Sequence, residues 1–144
     1  MKSKIKAAAE EEEYESYNGR MPKDWLEDLS YLGTDWPKPF FENAPALIIV
    51  FKKSYDLNNR QKRNNYYVTE SVALACGFLL EAIHYCGLVA LTHTSSPMNF
   101  LTKLLKRPEN EKSFLLIPVG YPAENTLVPD LKRKEENEVI RYFK

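Results

Sequence analysis

Along the chain, polar and apolar positions switch between a helical period and continuous apolar runs. From Lys2 to Tyr17 good helix formers continue without Pro or Gly, and Gly19 follows where a helix stop is expected. In "PKDWLEDLSYLG", Pro22 stands near a first-turn position and Trp25, Leu26, Leu29 and Leu32 recur at helical spacing before Gly33, which predicts a second, short amphipathic helix. "TDWPKPFFENAP" carries three prolines, each disfavouring helical geometry at the residue before it, so a loop with at most one turn is expected.

"ALIIVFK", 46–52, is a β-branched and aromatic run suited to a strand covered on both faces. The polar "KSYDLNNRQKRNN" predicts a surface loop. "YYVTESVALACGFLLEAIHYCG", 66–87, is apolar around most of its circumference, which predicts a helix at the centre of the domain or pressed into a partner subunit. "LVALTH" predicts a second strand, "MNFLTKLLKRP" an amphipathic helix ended by Pro108, and "SFLLIPVG" a third strand. This alternation predicts a layered α/β domain. After Gly120 the chain is extended and polar, and the terminal "EVIRYFK" has strand character without a local partner, as in an arm that completes another subunit's sheet.

Composition narrows the functional classes. The 144 residues, 44% apolar, fit one domain with a real core. Twenty basic residues balance twenty acidic ones, so no overall field draws the chain to nucleic acid or anionic lipid. No window is expected to cross a bilayer, and the chain itself is expected in the cytoplasm, membrane-anchored only if an upstream anchor exists. Cys76 and Cys86 on one helix would stand about 15 Å apart, too far for a disulfide, and are expected as buried thiols. His84 and His93 sit in no metal-ligand spacing, so no metal site is expected. G-x-S-x-G, P-loop and G-x-G-x-x-G patterns are absent from the sequence.

Three clusters of polar groups remain. "THTSS", 92–96, follows a strand, where donors can meet a heteroaromatic ring, although an ordinary turn has the same composition. "LKRK", 131–134, includes Arg133, able to grip a phosphate or simply to face water. Glu13 and Tyr17 are one helical turn apart, and Lys38 would join them if "WPK" folded over that turn. Such a trio suits a zwitterionic amino acid, Glu13 taking the ammonium and Tyr17 and Lys38 the carboxylate; on composition alone all three also fit surface positions.

Taken together, "EEEEYESY", "DWLEDL", "DWPK", "ENAPALIIVFK", "YYVTESVALACGFLLEAIHYCGLVALTHT", "RPENEK", "LLIPVGYPAE" and "VPDLKRK" resemble the iodotyrosine deiodinase branch of the FMN-dependent nitroreductase superfamily. The resemblance implies an α/β domain of the α+β nitroreductase-like kind, with a mixed sheet around a long buried helix. Within a single domain of 1–144 it implies substrate-lid helices over 1–44, an α/β core over 45–120 and a C-terminal arm over 121–144. It also implies FMN as cofactor and reductive dehalogenation of halotyrosine. Electrons would come from NADPH, through a separate reductase in animal relatives, and the active form would be a homodimer. Glu13, Tyr17 and Lys38 would bind substrate, the Thr94 hydroxyl would donate to flavin N5, Thr92 and His93 would line the same ring edge, and Arg133 would hold the FMN phosphate. A general nitroreductase or quinone reductase is the enzymatic alternative, and a fragment that pairs with a full-length subunit the non-enzymatic one.

The chain corresponds to about the C-terminal two-thirds of a family subunit. Its expected lack of an Arg-Arg-Ser type segment, of a Pro-Ser loop at the flavin and of a backbone donor near the substrate phenolate implies weaker FMN binding, by roughly 2 to 5 kcal/mol for a lost phosphate contact. Lys106 stands where the family has Gly in "LGRP", and Pro39 constrains the backbone of Lys38.

Overall fold

The computed structural model describes residues 1–59, 61–95 and 97–143. Its centre is strand β5 (Glu111–Gly120), paired antiparallel with β1 (Ala46–Lys53) on one side and with the short β4 (Val89–Ala90) on the other. The β1–β5 register runs from Ala46 opposite Val119 to Lys53 opposite Glu111, shifting once between Val50 and Phe51. The expected mixed sheet is thus antiparallel at every described pairing.

Alternation along β5 builds two cores. Leu115, Ile117 and Val119 point to one face, where they pack with Cys76 and Ile83 of α4 (Val68–Tyr85). Leu116 points to the other face and joins Ile5 and Ala9 of α1 (Lys2–Glu15), Phe41 of α3 (Phe40–Asn43) and Leu101 of α5 (Asn99–Leu104). A separate helix, α2 (Lys23–Tyr31), follows α1 as its sequence predicts.

Several expectations are corrected. The long helix is not enclosed: of its eighteen residues only Cys76 and Ile83 are buried, while Leu74, Phe78 and Tyr85 are 69%, 78% and 88% exposed. It touches the sheet along one stripe, and none of the described residues covers the rest. By length and composition alone α4 is apolar enough to cross a bilayer, with 18 residues of mean hydropathy 1.2, a window that was not expected. Cys86, at the end of that helix, is exposed, and only Cys76 is a buried thiol, its pKa pushed up by burial. The polar loop after β1 is a hairpin, β2 (Tyr55–Asn58) with β3 (Gln61–Asn64). Asn59 at its turn adopts a φ of 50°, which asparagine tolerates, Lys62 covers the Tyr55 ring at 4.3 Å, and the Asn110 amide donates to the Tyr55 carbonyl at 2.7 Å. Among the described residues of the single chain the terminal segment pairs with no strand, and a helical turn, α6 (Glu136–Val139), stands at its start, capped reciprocally by Glu135 and Glu138. Residues 121–143 are exposed throughout.

Two chain reversals carry predictions. Helices α2 and α4 end in the left-handed glycines Gly33 and Gly87 (φ 67° and 74°), with paired hydrogen bonds closing each end. Helix α5 ends in the same motif, Lys106 N–H donating to Lys103 and Arg107 N–H to Thr102, but with Lys106 at φ 50°. Lys106→Gly is therefore expected to raise stability by about 1 kcal/mol, visible as a higher thermal midpoint. At Gly120 the constraint is close approach, since a Cβ there would sit 2.8 Å from Cδ of Pro45. Gly120→Ala should cost about 1–3 kcal/mol in denaturant titrations, because Gly120 is paired with Val89 and Pro45 directly precedes the Ala46–Val119 pair, so neither moves away easily.

Candidate active site

Helix α1 positions the first side chain. Its buried residues are Ile5, Ala9 and Glu13, a stripe of four-residue steps that continues from the core directly into a carboxylate. Glu13 is only 6% exposed. Such burial demands compensation. Lys38, 2% exposed, places its Nζ 3.6 Å from Glu13 Oε2, and it also donates to the Asp35 carbonyl. The backbone N–H of Lys38 donates to Glu10 Oε1 at 2.7 Å, so the Pro37–Pro39 frame pins the loop onto α1 rather than disturbing it.

After Glu15 the helix widens into a π turn, Ser16–Arg20, that carries Tyr17 and Gly19; the helix thus passes the glycine expected to stop it. Arg20 clasps the turn by donating to the Glu12 carbonyl at 2.6 Å and pairing with the Glu12 carboxylate at 3.1 Å. Single π turns concentrate at functional sites because they displace a side chain from the regular helical face. Here the Tyr17 ring lies 5.2 Å from Lys38 Nζ. Burial raises the Tyr17 pKa; a hydrogen bond with Thr34 opposes this, and the Glu13 and Asp35 charges add to it. The phenol therefore stays protonated near neutral pH.

His93 enters from the sheet. Its backbone bridges to Leu116 in both directions, its ring packs edge-on against Phe41 at 5.0 Å, and its Nε2 lies 2.6 Å from Ser95 Oγ and 3.5 Å from Glu13 Oε1. Burial first, and the Lys38 charge second, lower its pKa to about 4, so at neutral pH the Glu13–His93 contact joins a carboxylate to a neutral ring and is not an ion pair.

These groups line a cleft of about 760 Å³ together with Thr92, Thr94, Ser95, Met21, Trp25, Leu29, Leu32, Thr34, Phe40 and Pro129. The structure thus gathers Glu13, Tyr17, Lys38, Thr92, His93 and Thr94 at one place. Arg133 lies outside it, on the exposed arm. The apolar wall from α2 was legible in the sequence only as an amphipathic helix; its Trp25–Leu29–Leu32 spacing was the available signal. Ser95, 2% exposed, carried no signal beyond a Ser/Thr-rich turn. A larger opening of about 800 Å³, between α4, β4 and the start of the arm, has a mainly apolar lining. No metal-holding group of three or more His, Cys, Asp or Glu occurs among the described residues.

No protein-family model matches the chain. It is 66% identical over 141 residues to iodotyrosine deiodinase of Haliscomenobacter hydrossis, covering 97% of this chain and 64% of that protein. Its identity to iodotyrosine deiodinase of Nematostella vectensis is 47% over 144 residues, covering 97% of this chain and 54% of that one. The chain therefore spans less than two thirds of the length of these curated relatives. Its structure superposes on a crystal structure of oxidised iodotyrosine deiodinase bound to FMN and 3-iodo-L-tyrosine with a TM-score of 0.78 at 30% identity, over 99% of this chain and 70% of that one. On this likeness in sequence and in structure, the chain belongs to the iodotyrosine deiodinase family and shares its fold.

Proposed function

We propose that this chain forms the substrate-binding and catalytic part of an FMN-dependent reductive dehalogenase acting on halotyrosines, with 3-iodotyrosine converted to tyrosine and iodide. The observation that carries this reading is the convergence of Glu13, Tyr17 and Lys38 beside Thr92–Thr94. An anion, a phenol and an ammonium in one half-closed cleft match the two charged ends of a free amino acid. A nitroaromatic or a quinone has no use for them.

The ring end of FMN fits the donors present. Thr92 and Thr94 are exposed on the cleft wall, beside the partly buried His93. The phosphate end fits less well within one chain, because Arg20 is engaged with Glu12 and Lys38 with Glu13, and Arg133 is on the arm. FMN, when bound, supplies the electrons that replace halide by hydrogen on the phenol ring. Glu13 accepts the substrate ammonium, and Tyr17 and Lys38 donate to its carboxylate. Closing these groups over the ligand excludes water and strengthens each charged contact. Of the residues present, Thr94 would hold the reactive edge of the flavin ring through its hydroxyl, and Arg133 would hold the phosphate once the arm is docked.

The assembled form in this reading is a homodimer. The exposed α4 face and the arm, with Leu127, Val128, Tyr142 and Phe143 each at least 79% exposed, supply the apolar surface such an assembly buries. In this reading reducing equivalents derive from NADPH, through a separate reductase in animal relatives. The test is iodide release from 3-iodotyrosine by FMN-loaded protein under a chemical reductant, run beside reduction of a nitroaromatic. Iodide release at the faster rate is expected; rapid nitro reduction without halide would transfer the chain to the general nitroreductases. Protein that stays colourless with added FMN would point instead to a fragment that needs a full-length partner.

A further inference from the structure

Each oxygen of Glu13 faces a different group, a cation on one side and a neutral imidazole on the other. Oε2 faces the Lys38 ammonium at 3.6 Å, on the loop between α2 and α3. Oε1 faces His93 Nε2 at 3.5 Å, and His93 belongs to the sheet. Three constraints fix that imidazole: two backbone hydrogen bonds to Leu116 (2.9 and 3.1 Å), edge-on packing against Phe41 and Phe40 at 5.0 and 6.0 Å, and the 2.6 Å contact to Ser95 Oγ, itself buried. A carboxylate free to rotate beside a buried ammonium would turn both oxygens onto it, since each added charge-assisted bond in a dry site is favourable. It would then be unavailable to a second cation.

We infer that His93 is a positioning residue that keeps one Glu13 oxygen turned away from Lys38 and ready for the ammonium of the ligand. This rests on the proposed substrate class, and it assigns His93 a task at the amino-acid end of the cleft, in addition to its place on the cleft wall. The charged groups facing the ring are Glu13 from α1 and Lys38 from the loop. The neighbours from α3 and β5, Phe40, Phe41 and Leu116, carry no charge.

Two measurements test this, one with ligand and one without. In FMN-loaded protein, His93→Phe keeps the aromatic packing and removes the nitrogen; calorimetry should show 3-iodotyrosine binding weakened about tenfold, the size of one charge-assisted contact. Binding of 3-(3-iodo-4-hydroxyphenyl)propionate, which lacks the ammonium, should be unchanged, and His93→Gln, which returns an N–H near the Nε2 position, should recover most of the loss. Equal weakening of both ligands, or of neither, overturns the inference. Without ligand, the chain's two histidines make the His93 Cε1–H resonance assignable by comparison with His93→Gln. Its titration midpoint should fall in Glu13→Gln and, more gently, in Glu13→Asp, which preserves the charge pairing with Lys38. An unmoved midpoint in both variants also overturns the inference, whether or not any ligand binds. If the wild-type protein takes up neither ligand, the substrate reading fails, and the titration alone decides the role of His93.

Discussion

Lys38→Met is expected to destabilise the protein by about 3–5 kcal/mol, the usual cost of removing one partner from a buried ion pair. The substitution keeps most of the side-chain volume, so the loss is electrostatic. It leaves the Glu13 carboxylate 6% exposed with a neutral imidazole and no cation, and it strips the Asp35 carbonyl of its donor. The double variant Glu13→Gln/Lys38→Met should recover most of the loss, because a neutral pair of similar volume has no ion to desolvate. Urea titration of the four proteins of this cycle measures the coupling. A single-variant loss below about 1 kcal/mol, the range of exposed pairs, would mean that the pair is solvated and that the cleft does not exclude water as described.

The second large effect is on the acid side. His93 has an ordinary pKa of 6.5 when unfolded and about 4 when folded, chiefly because burial penalises the imidazolium and also because Lys38 repels it. Between those two values the unfolded chain binds a proton that the folded chain refuses. The stability held by the neutral ring is therefore fully present above pH 6.5 and is lost as pH falls towards 4, by about 3 kcal/mol in all and about 2 kcal/mol between pH 7.5 and 5. His93→Gln removes this group's contribution, so its stability should be flatter than wild type over pH 7.5 to 5, above the range where most carboxylates titrate. Parallel pH profiles for the two proteins would show that His93 is reached by solvent and titrates normally.

Much of the site was legible before any coordinates. The i, i+4 spacing of Glu13 and Tyr17 survives because one helical turn is a local property, even though the turn itself widens into π geometry. The burial of Glu13, on one stripe with Ile5 and Ala9, was not read from the sequence, where the glutamate run equally fits a solvated face. The strands 46–52 and 113–120 were legible for the same reason, their apolar runs having no helical alternative of comparable burial. The hairpin after β1 was not legible, since its polar strands are held by Asn110 and by a cross-strand cation–aromatic contact rather than by an apolar face. The strand character of the terminal segment was assigned to pairing with another subunit, and β-branched and aromatic residues form a strand only beside a partner; among the described residues, 121–143 have no strand partner within one chain.

By itself, the sequence determined the order of the main helices and of the apolar strands and the identity of the groups offered to a zwitterion, all of which depend on periodicity and side-chain chemistry. Tertiary structure alone decided that Lys38 and His93 face opposite oxygens of one carboxylate, that Arg133 stays away from the cleft and that one side of α4 is left bare. These are relations between segments far apart in the chain. They follow from how the loop, the sheet and the first helix pack together, and no local pattern encodes a distance of that kind.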